Sequence, residues 1–236
     1  MRGPLLQGSW GGGTACGARR FGNRRCVNQD LKRFENEAHA QGFRRVAGVD
    51  EAGRGPLAGP VVASAVILGD RIRLDGINDS KQLTAPRRLA AYQRICREAL
   101  AVGIGVIDAA IIDRINILQS SLLAMEVAVA HLDPQADFLL IDGNHSTTLN
   151  LPQRTIIKGD ARSASIAAAS IVAKVTRDRL MESYHTQYPV YGFDRHKGYP
   201  TRAHREAVRQ HGCCPIHRLT FKGVREYAPL AQVAPE

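Results

Sequence analysis

Apolar and polar positions follow two different periods along the chain, and their succession predicts an α/β domain. Short apolar runs that end at glycine, proline or acidic residues are typical of strands. Apolar positions that recur every three or four residues are typical of helices. The predicted strands cover residues 45–50, 60–68, 101–107, 138–142 and 155–158, and the predicted helices 29–42, 84–100, 114–131, 161–184 and 201–210. This order favours one mixed sheet with helices around it.

Acidic side chains lie where several of these elements end or begin. Asp50 and Glu51 lie at the end of the first strand, Asp142 ends the fourth, and Asp160 lies between the last strand and the long helix. Because ligand sites of open α/β sheets favour strand ends, we expect the four carboxylates to meet at one edge. Oxygen ligands suit Mg²⁺ or Mn²⁺, and phosphodiester hydrolysis commonly uses two such ions about 4 Å apart. Taken singly, Asp160 has an alternative as a helix cap, and Asp142 as an ordinary polar strand end.

A glycine-rich turn, Gly53-Arg54-Gly55, follows the acidic pair at once. It is not a phosphate-binding P-loop, because no Gly-Lys-Ser/Thr follows. Glycine lets a backbone approach a ligand closely, so the turn is a candidate binding loop. The alternative is a tight β-turn with an exposed arginine.

Polar clusters elsewhere suit contact with a nucleic acid. Ser80 and Lys81 precede a predicted helix, Lys174 and Arg177 lie one turn apart on the long helix, and Tyr199 follows a basic pair. Lysines and hydroxyls contact phosphates, and a tyrosine among basic residues can stack on a sugar or a base. The alternative for each cluster is a solvated helix end or surface loop.

Charge along the chain supports an anionic partner. The net charge is +10, with +6 in residues 1–45 and +7 in residues 195–225, which leaves −3 for the remainder. Basic ends attract polyanions such as nucleic acid, whereas an acidic middle suits a cation site. On charge alone, a solvated basic surface is the favoured alternative. Hydrophobic residues make up 44%, enough for a packed core, and no apolar run is long enough to cross a membrane.

The five cysteines are scattered and odd in number, which is not a disulfide framework and fits a reducing cytoplasm. Residues 211–217 contain two histidines and two adjacent cysteines, which offers a zinc site as an alternative. The cysteine spacing is not that of common zinc sites, so a turn with buried thiols is favoured. Residues 1–28, rich in glycine and arginine, are predicted to be a disordered tail, with an organelle transit peptide as the alternative.

Several longer stretches together resemble one family, ribonuclease HII, the type 2 ribonuclease H of bacteria. They are VAGVDEAGRGPLAGPVVASAVIL, NDSKQL, LLIDGN, KGDARSASIAAASIVAKVTRD, YGFDRHKGYPTRAH and PIHRLTF, in that order between about residues 43 and 224. The short tail is too rich in glycine for the folded N-terminal domain of the related type HIII enzymes, which favours HII.

The resemblance implies a ribonuclease H fold, with a mixed five-stranded sheet and a helical C-terminal part from about residue 185. It implies a monomer that cleaves RNA paired with DNA and cuts at single ribonucleotides within duplex DNA, leaving 5′-phosphate and 3′-hydroxyl ends. The catalytic metal ligands would be Asp50, Glu51, Asp142 and Asp160, with Mg²⁺ or Mn²⁺ as the cofactor. The substrate contacts would come from the backbone of Gly53, Arg54 and Gly55, from stacking by Tyr199, and from Lys81, Lys174 and Ser80.

Two rival classes remain beside this expectation. One is a nucleic-acid-binding protein that keeps the fold without catalysis, which the four intact acids disfavour. The other is a DNA-directed nuclease, which the glycine turn and the tyrosine disfavour, because DNA has no 2′-hydroxyl to sense.

Overall fold

The computed structural model describes residues 31–69 and 83–228, and a five-stranded sheet forms their centre. The strands are β1 (Val46–Ala52), β2 (Val61–Ile67), β3 (Ala101–Ile107), β4 (Phe138–Asp142) and β5 (Gln153–Ile156). Their order across the sheet is β3-β2-β1-β4-β5. β2 runs antiparallel to β1 and β3, and β4 runs parallel to β1 and β5. The predicted mixed five-stranded sheet is confirmed.

Helices cover both faces of this sheet. They are α1 (Arg33–Ala40), α2 (Ala85–Glu98), α3 (Ala109–Ala130), α4 (Ala164–Gln187), α5 (Phe193–His196) and α6 (Arg202–His211). Short 3-10 turns occupy Gly159–Ala161, Pro189–Tyr191 and Arg225–Tyr227. No helix in the two described ranges is both long and apolar enough to span a membrane.

The helices α3 and α4 pack on opposite faces of the sheet, each with its own apolar core. Gly48 of β1 lets α4 lie directly against the sheet, since a Cβ there would come within 2.1 Å of the Ser165 backbone. No other residue type fits such a contact. The contact brings the first turn of α4 beside the strand that carries Asp50 and Glu51.

The predicted helix 114–131 is wrong at its start, because α3 begins at Ala109 and breaks at Asn116. Asp108 caps the first part by accepting a hydrogen bond from the Ile111 amide at 2.9 Å. Asn116 has φ 66° and ψ 166°, and its side chain accepts from the amides of Leu118 and Gln119, so it caps the second part. Asparagine tolerates positive φ better than most residues.

The predicted boundaries around Asp160 are also wrong, by two or three residues. β5 ends at Ile156 because Lys158 has a φ of 55°, which a strand does not tolerate. The 3-10 turn follows, and α4 then begins at Ala164 with Ser163 as its N-cap. Asp160 is therefore not a cap of α4.

The bounds of β1 to β4, α2 and α6 agree with the prediction to within two residues. Thr84 occupies the N-cap of α2 as expected, but in the described part of the chain its side chain makes no capping hydrogen bond. α1 is shorter than predicted and ends at Ala40. The predicted tail, residues 1–28, lies outside the described residues.

The segment after α4 packs beneath the turn that follows β1. Its apolar cluster contains Tyr191, Phe193, Val208 and Cys214, together with Ala58 and Met181. Asp113 of α3 holds the chain just beyond this cluster, accepting from the amides of Leu219 and Thr220. Cys214 is a buried free thiol and Cys213 a partly exposed one, and Cys214 Sγ lies 3.0 Å from His217 Nδ1.

Candidate active site

Asp50 and Asp142 lie side by side at the ends of two parallel strands. Val49 pairs with Ile141, so the next residues of β1 and β4 are neighbours. Because side chains alternate along a strand, both carboxylates point to the face covered by α4. Asp50 is 5% exposed, and Ser170 of α4 hydrogen-bonds its side chain.

Burial raises the pKa of Asp50 well above its ordinary value, and the nearby charges of Glu51 and Asp142 raise it further. The hydrogen bonds from Ser170 and from the Glu51 amide, the latter 2.7 Å long, act in the opposite direction. Buried carboxylates that repel one another are stabilised by a cation placed between them. The oxygen-only chemistry of this group fits a hard divalent ion.

Glu51 projects to the opposite face from Asp50, as the alternation of the strand requires. Its carboxylate accepts a hydrogen bond from the Arg54 guanidinium at 3.2 Å. Burial raises the pKa of Glu51, and Arg54 partly offsets this effect. Glu51 is thus held by an arginine of the neighbouring turn at the rim of the site.

Asp160 is 4% exposed and lies in the 3-10 turn before α4. The preceding residue ties this turn to β4, because the Gly159 amide donates to Asp142 Oδ1 at 2.6 Å. The structure therefore gathers Asp50, Glu51 and Asp142, and Asp160 directly follows the glycine whose amide binds Asp142. Within the described ranges, however, no three of the acidic, histidine or cysteine side chains already stand in a metal-holding arrangement.

A groove of about 400 Å³ opens next to Glu51 and contains most of the predicted substrate contacts. Its lining includes Gly53, Arg54 and Gly55 from the turn, Lys174 from α4, and Tyr199. Tyr199 is 43% exposed and packs against the turn, since a Cβ on Gly55 would lie 3.8 Å from its ring. Lys174 lies 5.9 Å from the centre of the same ring and pairs with Asp178.

A second recess of about 70 Å³ shares Glu51 and Arg54 with this groove. Asp142, Asn144 and His145 line it, together with residues from the second part of α3. The two recesses thus meet at the carboxylates. This arrangement suits an extended ligand that passes across the strand ends.

Arg177 and the pair Ser80 and Lys81 were further predicted contacts with nucleic acid. Arg177 is not a surface phosphate contact, because it is only 1% exposed and donates to the backbone carbonyls of Ala58, Pro60 and Lys197. Ser80 and Lys81 lie outside the described residues.

Sequence reasoning missed three residues of the site. Ser170 bonds Asp50, Arg88 lines the groove, and Arg218 lies buried beneath the glycine turn. Ser170 precedes Lys174 by one helical turn, a spacing that predicts a shared face. For Arg218 no spacing signal exists, because it comes from a segment 165 residues away from Gly53.

Comparison with known proteins agrees with this architecture. A crystal structure of ribonuclease H2 from Pyrococcus horikoshii matches with a TM-score of 0.66 and 28% identity, covering 78% of this chain and 97% of that one. A ribonuclease HIII described in complex with Mn²⁺ matches with a TM-score of 0.61 and 20% identity, covering 83% of this chain and 72% of that one. The molecule therefore has the ribonuclease H-like fold.

Sequence comparison identifies one family within the proteins of this fold. The family model for ribonuclease HII matches residues 47–224. Ribonuclease HII of Geobacter metallireducens is 58% identical over 84% of this chain and 93% of its own length. The Bacillus pumilus enzyme is also 58% identical, over 83% of this chain and 77% of its own. The chain belongs to the ribonuclease HII family.

Family membership establishes an endonuclease that cleaves the RNA of RNA–DNA hybrids and uses a divalent metal ion. It favours this enzyme over both rival classes, the noncatalytic binder and the DNA-directed nuclease.

Proposed function

We propose that this enzyme also cuts duplex DNA on the 5′ side of a single embedded ribonucleotide, leaving 5′-phosphate and 3′-hydroxyl ends, and that it acts as a monomer. The proposal rests on the position of the acidic group directly beside the groove. The carboxylate Glu51, adjacent to Asp50, lines the same groove as the glycine turn and Tyr199. Groups suited to phosphate hydrolysis therefore lie next to groups suited to ribose recognition.

Asp50, Glu51, Asp142 and Asp160 are the residues that would hold the metal, either Mg²⁺ or Mn²⁺. When bound, two such ions supply hydroxide for in-line attack and stabilise the leaving oxygen. The buried carboxylate of Asp50 and its repulsion by the half-buried Asp142 support this assignment. Glu51 would have to exchange its bond with Arg54 for the cation, which is a side-chain rotation at the rim of the site.

The turn Gly53-Arg54-Gly55 would recognise the 2′-hydroxyl through its backbone. Gly53 has a φ of 101°, and a side chain there would collide with Arg177 and the Pro60 carbonyl. The turn therefore needs glycine to reach this shape, which exposes peptide groups to the groove. Tyr199 would stack on the adjacent deoxyribose, and Lys174, Lys81 and Ser80 would contact phosphates.

The test uses two labelled DNA duplexes that differ only in one ribonucleotide. Each is incubated with the enzyme and Mg²⁺, Mn²⁺ or EDTA, and the products are sized. We expect one cut, only in the duplex with the ribonucleotide and only with metal, with ends that DNA ligase rejoins. Cleavage of both duplexes would refute recognition by the turn, and cleavage of a continuous hybrid alone would refute action at single ribonucleotides.

A further inference from the structure

The guanidinium of Arg218 lies directly beneath the glycine turn and is fully buried. It donates to the carbonyls of Gly53 at 2.6 Å, Arg54 at 3.1 Å and Pro56 at 2.9 Å. It also donates twice to the Gly59 carbonyl, at 3.0 and 2.9 Å. A guanidinium has five N–H groups, so the whole donor capacity of Arg218 is directed at one turn.

These bonds determine which peptide groups the turn presents to the groove. In a trans peptide the carbonyl and the following N–H point in opposite directions. Because the carbonyls of Gly53 and Arg54 point inward to Arg218, the amides of Arg54 and Gly55 point away from it. Both residues line the groove, and within the described ranges neither amide has a backbone acceptor. The turn therefore offers two donors to a ligand.

Burying this charge is costly, which argues against a merely structural role. Burial lowers the pKa of Arg218 to about 9, and the neighbouring charge of Arg177 lowers it further. An apolar residue of similar volume commonly stabilises a core as well as a buried charge does. Such a residue would leave the four carbonyls free to turn toward solvent, and the amides would then lose their direction.

We propose that Arg218 is a positioning residue that sets the selectivity of the enzyme for the ribose 2′-hydroxyl. By holding the Gly53 and Arg54 carbonyls inward, it orients the Arg54 and Gly55 amides toward the 2′-oxygen of the ribose, the acceptor that DNA lacks. This inference rests on the proposed recognition of ribonucleotides by the turn. It explains what orients the turn for that recognition, namely a side chain from the segment after α6.

Arg218→Lys tests the inference, because lysine keeps the charge but donates from a single nitrogen. KM is measured for the duplex with one ribonucleotide, and Ki for the all-DNA duplex as a competitor. The ratio of Ki to KM reports selectivity. We expect it to fall toward one, by up to about tenfold, the value of one well-placed hydrogen bond. The Mn²⁺ concentration for half-maximal rate should stay unchanged.

Val208→Ala is the matched control, because it removes buried volume from the same C-terminal cluster but removes no hydrogen-bond donor from the turn. It should lower the melting temperature and leave the ratio intact. If Arg218→Lys does not fold, Phe221→Leu replaces it, since the Phe221 ring supports the guanidinium at 5.1 Å. A folded Arg218→Lys, or else Phe221→Leu, with the selectivity of the wild type would overturn the inference. A wild-type ratio of one would instead refute the proposed ribonucleotide recognition.

Discussion

At the scale of single residues, Asp50 combines burial, repulsion and a position at a strand end. Asp50→Asn removes the charge but keeps the shape and the hydrogen bond to the Glu51 amide. We expect cleavage to fall by about a hundredfold to a thousandfold, the loss typical when a principal electrostatic group is removed. Binding of a labelled hybrid, measured by fluorescence anisotropy in EDTA, should change little.

The control for this variant is Glu206→Gln, which removes an acid from the outer surface of α6, where it pairs with Arg209. It should cleave as the wild type does. Full activity in Asp50→Asn would contradict the assignment of Asp50 as a metal ligand, and loss of hybrid binding would indicate a folding defect instead.

Residue type alone predicted the acids at the strand ends, because an apolar run followed by carboxylates is unusual in a core. It did not predict which arginines are buried. Arg177 and Arg54 both lie close to Gly53 in the folded chain, yet Arg177 is buried while Arg54 reaches Glu51. Burial depends on which helix packs above the turn, and this is a property of the tertiary structure.

At the scale of elements, α1 stabilises the turn that carries Asp160. Glu35 of α1 is 6% exposed, and its Oε1 accepts from Ser163 Oγ, Ser165 N and Ser165 Oγ at 2.6 to 2.9 Å. These groups form the start of α4, where a negative charge also interacts favourably with the helix dipole. One short helix thus caps the long helix that contributes Ser170 and Lys174.

Glu35→Ala should lower the free energy of unfolding by about 3 kcal/mol, because it leaves the Ser165 amide and one of the two serine hydroxyls without an acceptor, whereas the other hydroxyl can donate across the 3.1 Å Ser163–Ser165 contact. The matched control is Glu37→Ala on the same helix. Glu37 forms exposed pairs with Arg33 and Arg154, which contribute little to stability. Urea unfolding of both variants measures the difference. Equal effects of the two substitutions would contradict the capping role of Glu35.

Among these elements, sequence patterns predicted the strands but not two local irregularities. The strands of the sheet were predictable, since their apolar runs are long and bounded by turn residues. The break of α3 at Asn116 and the 3-10 turn before α4 were not, because each depends on one backbone conformation. The 3-10 turn contains Asp160, and the part of α3 that follows Asn116 lines the smaller recess next to Glu51 and Asp142.

At the scale of the whole molecule, the segment after α4 supports the site from below. His204 and His217 are buried within it, with their Nε2 atoms 3.1 Å apart. His204 also bonds the Tyr199 carbonyl, and His217 contacts Cys214. His204 Nδ1 donates to the Tyr199 carbonyl, so its Nε2 accepts from His217 Nε2, and His217 Nδ1 in turn accepts from the Cys214 amide. Each ring thus has one donor and one acceptor nitrogen and is neutral in the folded state.

This histidine pair makes the stability of the whole fold depend on pH. Burial lowers the pKa of His204 and of His217 to about 4 in the folded state. The unfolded chain therefore binds more protons between pH 6.5 and 4, so the stabilisation is complete above about pH 6.5 and is lost as the pH falls toward 4. One histidine contributes on the order of 3 kcal/mol.

Urea midpoints between pH 7.5 and 5 should decline, and His204→Leu should flatten the decline, whereas the exposed His39→Ala should not. An equal slope in all three proteins would show that other groups carry the acid sensitivity.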